Sequence, residues 1–171
     1  MTSGIRFAQG LKVLPVLGPI DTAASATVSA FVDMNMVNWC TFLVPFGNLT
    51  SDDSDIVAIL VRCSTEGTSA ATEPTAIPFT YRISSAVATD SMGALVAGTS
   101  DGIGTSDDSV NAANLDNTVL VIDVDPSVVA AKGADMRWVS LAIAPTGPIT
   151  ILGVLAVVEH KYPGNTIPSS T

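Results

Sequence analysis

Charge is scarce in this chain. Only 13% of its 171 residues are Asp, Glu, Lys or Arg, against ~25% in ordinary soluble domains. A free monomer built this way has little with which to cover its surface. Much of that surface is therefore expected to be buried against neighbours, as in an oligomer, with a Ser/Thr/Asn-rich monomer as the alternative. Basic residues are the scarcest: 7 against 16 acidic ones, a net charge of −9. Nucleic-acid binding needs a basic face to neutralise phosphates, so the acidity argues against that class. Glu is rarer still, with 13 Asp to 3 Glu. Asp favours turns and caps while Glu favours helix interiors, which points to a loop-rich β protein.

Catalytic residue types are equally thin. His160 is the only histidine, so any Ser-His-Asp arrangement has to use it. It sits in Glu159-His160-Lys161-Tyr162-Pro163, where charged neighbours suggest a solvated strand end. No nucleophile elbow and no Walker loop occurs. The two cysteines, Cys40 and Cys63, lie in apolar runs without metal-ligand spacing and read as small buried hydrophobes. A disulfide between them stays open at this level. Gly98-Thr99-Ser100-Asp101-Gly102-Ile103-Gly104 has phosphate-loop-like glycine spacing, but acidic Thr105-Ser106-Asp107-Asp108-Ser109 follows where a helix should begin, so a flexible loop is expected. Asp52, Asp53, Asp55, Asp101, Asp107 and Asp108 could gather oxygens around Ca²⁺, yet lack the calcium-loop spacing and read as solvated turns. Asp123 and Asp125 share a face as a carboxylate pair would, and strand termination and capping explain them. No enzyme, cofactor or metal is expected.

Membrane and export signals are weak. Trp138 to Val158 carries no charge over 21 residues, but Pro145-Thr146-Gly147-Pro148 interrupts it, and two strands joined by a turn are expected instead of a span. The N-terminal apolar stretch is short and proline-bearing, and Asp21 falls where a signal peptide needs small residues.

What is present is strand grammar. Alternation or β-branched richness marks Thr27–Val32, Trp39–Phe46, Ile56–Cys63, Ala76–Ser84, Thr118–Asp125, Arg137–Ala144 and Thr150–Glu159, with a weaker strand near Met92–Ala97. Ile77, Phe79, Tyr81 and Ile83 share one face. Pro126 to Gly133 suits one helical turn with Asp125 as its N-cap. The fold class is all-β, an antiparallel β-sandwich or jelly-roll. Residues 1–25 read as an extended N-terminal arm lying along a neighbouring element or a partner. Residues 26–163 form the sandwich domain, with a long loop at 85–117, and residues 164–171 a C-terminal tail. Trp39 and Trp138 sit inside strand patterns and read as core.

Several of these segments resemble one family. Ala30-Phe31-Val32-Asp33-Met34 with Val37-Asn38-Trp39-Cys40-Thr41-Phe42-Leu43-Val44 and Gly47 reads as strand, short turn, strand ending in Gly. Asp116-Asn117 leads into apolar residues and Ile122-Asp123-Val124. Leu152 to Val158 closes with Lys161-Tyr162-Pro163. Together these pieces, across roughly residues 26–163, are similar to the head decoration (cement) proteins of tailed bacteriophages and related small virion proteins. The arm and the 85–117 insert depart from the usual pattern. The resemblance implies a β-rich fold without enzymatic activity, made in the bacterial cytoplasm, attached to the major capsid protein on the virion surface, often as a homotrimer, with no nucleic acid or membrane partner. The apolar residues of the arm, Leu11, Val13, Leu14, Val16 and Leu17, are the expected capsid or subunit contacts. A tail- or fibre-base-associated β domain and a host-glycan-binding sandwich are the alternatives. The latter needs exposed aromatics in a chain with only 5% of them.

Overall fold

The computed structural model describes residues 11–23, 26–47, 57–68, 74–84, 91–103, 115–145, 148–161 and 169–170. The chain runs through β1 (Leu11–Ala23), β2 (Thr27–Val28), β3 (Phe31–Asp33), β4 (Val37–Pro45), β5 (Val57–Ser64), β6 (Thr75–Ala76), β7 (Phe79–Ile83), β8 (Val96–Gly98) and β9 (Val119–Val124). A short helix α1 (Pro126–Ala130), β10 (Trp138–Pro145), β11 (Pro148–His160) and β12 (Ser169–Ser170) follow. Two six-stranded sheets result, sheet A in the order β1-β11-β4-β9-β7-β8 and sheet B in the order β12-β3-β10-β5-β6 with β2 beside β10. Every pairing is antiparallel. The architecture is the all-β sandwich expected.

Side-chain alternation builds the layer between the sheets. Cys40, Phe42 and Val44 of β4 point inward with Leu120, Ile122 and Val124 of β9 and with Leu152, Val154, Ala156 and Val158 of β11. Sheet B answers with Ile59, Val61 and Cys63 from β5 and Val139, Leu141 and Ile143 from β10. Removing this apolar area from water is the main stabilising contribution, at ~25 cal/mol per Å².

Two strands expected to be continuous are broken, one within sheet B and one where the chain changes sheets. Thr27–Val32 splits at Ser29. Its N–H donates to the Leu141 carbonyl at 2.9 Å, and the next N–H, of Ala30, donates to the Val16 carbonyl of β1 at 2.7 Å. Ala76–Ser84 splits at Ile77-Pro78, where proline has no N–H to give a ladder and the chain passes from β6 in sheet B to β7 in sheet A. Ile77, Phe79, Tyr81 and Ile83 still share the inner face. After β8 the chain returns to sheet B, where Ile103 exchanges backbone hydrogen bonds with Ile59 at 2.9 and 3.0 Å. Gly102 makes that return possible. Its φ is +87°, and a Cβ there would lie 2.5 Å from the Ile59 carbonyl oxygen. Both flanks of the sandwich are thus stitched across the sheets.

The strand-turn-strand at residues 29–47 is present but is an arch: β3 belongs to sheet B and β4 to sheet A. Asp33, fully buried, holds its turn. Its carboxylate accepts the Asn35 N–H at 3.0 Å and the Arg137 Nε at 3.1 Å, and it pairs with a second guanidinium nitrogen of Arg137. The Arg137 guanidinium lies 5.3 Å from the Trp138 ring centroid. The uncharged stretch from Trp138 to Val158 is two strands in different sheets, β10 and β11. Among the described residues no helix is long and apolar enough to cross a membrane. Helix α1 forms where expected, with Pro126 at its start and the Asp125 carboxylate accepting the Ser127 N–H at 2.8 Å.

Residues 11–23 of the expected arm lie along a neighbouring element, as edge strand β1 on β11. Pro15 and Pro19 fit there because an edge strand need not donate outward, and three register shifts absorb the irregularity. The insert is more ordered than expected over residues 91–103. Its strand falls at Val96–Gly98 and pairs with Phe79–Tyr81 of β7. The glycine-spaced segment after it carries a turn and the buried Ile103, not a helix, and Gly104 lies outside the described residues.

Candidate functional site

The outer face of sheet A follows from register, because directly paired residues share a face. One row reads Val13, Val157, Thr41, Asp123, Thr80 and Ala97 from β1 to β8. The next reads Pro15, Leu155, Leu43, Val121 and Arg82, and beyond it Pro45 pairs with Val119. The half of the face carrying Leu155, Leu43, Val121 and Val119 is apolar across three central strands, with Arg82 at its margin. These side chains are half-buried by one another and are not part of the inter-sheet core.

The five apolar residues singled out in the arm divide between the two faces. Val16 is buried in the core, and Leu14 and Leu17 pack against it. All three are taken up by the chain's own fold. Leu11 pairs with Glu159 and Val13 with Val157, which puts both on the outer face, and Val13 is 44% exposed.

At the other end of the same face lies a groove of about 870 Å³ where β4, β7, β8 and β9 meet α1. Trp39, Pro78, Phe79, Pro126 and Val128 give it apolar walls. Asn38, Thr41, Thr80, Asp123 and Asp125 supply its polar groups. Trp39 is half-buried here and belongs to the outer face, not to the core as its strand setting suggested; Trp138 is half-buried as well. Phe79 reaches the groove from the inner side of β7, packed against Tyr81 with ring centroids 6.1 Å apart. A Cβ on Gly98 would fall 2.7 Å from the Phe79 ring, so glycine there lets the ring lie against the backbone of β8.

The electrostatics of the groove are acidic. The Thr41 hydroxyl donates to Asp123 Oδ1. The Ser127 bonds that make Asp125 a cap hold its carboxyl below the usual carboxylate range. A general acid for glycoside hydrolysis needs its pKa raised, so Asp125 is displaced in the opposite direction from that role.

The remaining candidates are dispersed. His160 is at the end of β11 as expected, but is not fully solvated there. It is half-buried, its ring nitrogens are shielded, and neither has a hydrogen-bond partner among the described residues. Burial, and then Lys12, push its pKa down. Cys40 and Cys63 are free and buried, on β4 of sheet A and β5 of sheet B. Burial, reinforced for Cys40 by Asp123, raises both thiols and leaves them unreactive. Among the described residues no three His, Cys, Asp or Glu side chains gather as a metal site. Asp52, Asp53, Asp55, Asp107 and Asp108 lie outside those residues, and Asp101 is exposed.

Comparison with protein-family profiles, with curated proteins and with solved structures finds no match to this chain.

Proposed function

We propose that this chain is a structural virion protein that binds the outside of a tailed-phage capsid and stabilises it by bridging capsomers. The observation that carries this reading is the apolar half of the outer face of sheet A, centred on Leu43, Val121 and Leu155. Interface centres are depleted of charge in the same way. With strands ~4.8 Å apart and ~3.4 Å per residue, the apolar half of the six-stranded face offers on the order of 250 Å². That is roughly a third of the ~800 Å² per partner of a standard interface.

A protein that binds only the assembled shell stabilises it by mass action, without chemistry. The edge of β1 is a poor alternative contact, because Pro15, Pro19 and its register shifts obstruct pairing with another strand. The contact is therefore the apolar half of the face, with Pro15 at its β1 margin.

The test is co-sedimentation with assembled capsids, comparing the native chain with Val121→Asp and Leu155→Asp. Capsid occupancy should fall sharply for both variants while the circular dichroism stays native. Unchanged occupancy of folded variants, or no association of the native chain, overturns the proposal. Deleting residues 1–20 is a poor test, since it removes Val16 from the core and a ladder from β11.

A further inference from the structure

The groove at the Trp39 end of sheet A lies outside the apolar patch and is not needed for capsid attachment. We propose that it is a binding site for a neutral saccharide. Its volume, about 870 Å³, falls in the ~300–1,000 Å³ range of small-ligand sites, which combine apolar walls with a few convergent polar groups.

The lining selects the ligand class. Trp39 offers an aromatic surface on which the apolar C–H face of a sugar ring can lie, with Pro126 and Val128 beside it. Asp123 and Asp125 are two residues apart on an extended segment, so their backbones are separated by ~6.6 Å, a spacing comparable to one pyranose ring. Thr41 engages one oxygen of Asp123 and Ser127 bonds to Asp125, and because an ionised carboxylate has about four acceptor positions, each can still accept from a sugar hydroxyl. Asn38 and Thr80 add groups that both donate and accept.

This mixture separates the possible occupants. An anionic sugar is repelled by two carboxylates in a chain of net charge −9. A lysine or arginine side chain would use the carboxylates and leave the donors of Asn38 and Thr80 unmatched. A neutral polyol matches acceptors and donors together. Phe79 and Gly98 give the far wall its shape, since any side chain at Gly98 must displace the ring.

The chain has two tryptophans, so Trp138→Phe leaves Trp39 as the only indole reporter. The experiment titrates this variant with neutral hexose and N-acetylhexosamine trisaccharides, with a galacturonate trisaccharide and with a lysine tripeptide. Trp39 fluorescence and amide NMR shifts are followed together. Saturable binding of at least one neutral trisaccharide is expected, with shifts at Asn38, Thr41, Thr80 and Gly98 and no response to the uronate. Trp39→Ala and, separately, Asp123→Asn in the otherwise native chain should each weaken it about tenfold by NMR titration, equivalent to ~1.4 kcal/mol. Asp123→Asn keeps the side-chain shape and guards against an unfolded Trp39 variant. No saturable response to any neutral trisaccharide, shifts confined to other surfaces, or tighter binding of the lysine tripeptide overturns the proposal. Capsid occupancy is unaffected by either variant on this account, so a failure here is distinguishable from a failure of capsid attachment.

Discussion

Replacing Arg137 with Met isolates what holds the arch between the sheets. The aliphatic stem is largely kept, and the guanidinium is lost from a carboxylate that is completely buried. Asp33 then retains only the Asn35 N–H of the donors described above. Removing one partner of a buried ion pair typically costs 3–5 kcal/mol. Here the Arg137 side chain is 41% exposed, so water can reach the vacated position and the expected cost falls to about 2–3 kcal/mol. The contact between the guanidinium and the Trp138 ring is lost too, a part of the same sum worth ~0.5–1 kcal/mol. For a chain of this length that corresponds to a Tm lower by roughly 5–10 °C. Urea unfolding of the native chain, Arg137→Met, Asp33→Asn and the double variant measures the coupling directly. The two single costs should exceed the double by about 1–3 kcal/mol. An Arg137→Met cost below about 0.5 kcal/mol, the range of an ordinary surface substitution, or strict additivity, would refute the idea that this pair locks the arch.

Gly102→Ala should destabilise by at least ~1–3 kcal/mol, because a left-handed backbone and a clash with the Ile59 carbonyl coincide; differential scanning calorimetry measures it, and a neutral result would mean the crossing can relax. Asp125→Ala should cost about 1 kcal/mol through loss of the α1 cap, read by urea unfolding at pH 7. His160 has its pKa lowered by burial, so its unfolded form binds more protons near pH 6. Its neutral state supports the fold fully above the ordinary value of ~6.5, and that support is lost as pH falls from there toward the folded pKa; His160→Gln should flatten the Tm decline between about pH 7 and 5.

The individual strands were legible because alternation reports which side chains share a face. Cys40, Phe42 and Val44 announce β4, and the phase of that same pattern already puts Trp39, Thr41 and Leu43 on the opposite face. Reading Trp39 as core ignored this phase. What alternation cannot report is the partner strand. Nothing local in Ser29-Ala30 says that the strand breaks there, and nothing in Ile77-Pro78 says that the chain crosses to the other sheet, since both are set by hydrogen bonds to Leu141, Val16 and Val61 far along the chain. β1 was obscured by Pro15, Gly18 and Pro19, which break a strand pattern but are tolerated at an edge with bulges. The groove depends on register between β4, β9 and β7, so its residues could be named singly from the sequence but not assembled. The helical turn after Asp125 was legible in full, because its cap and proline are local signals.

The most direct test of capsid attachment is a cryo-electron microscopy map of particles assembled with this chain, resolved well enough to place the sandwich and count its copies. The expected result is regular density on the outer shell at capsomer junctions, with Leu43, Val121 and Leu155 turned toward the capsid protein or a second copy. Density confined to the tail, or a shell bare of the protein when the chain is in excess, would contradict it.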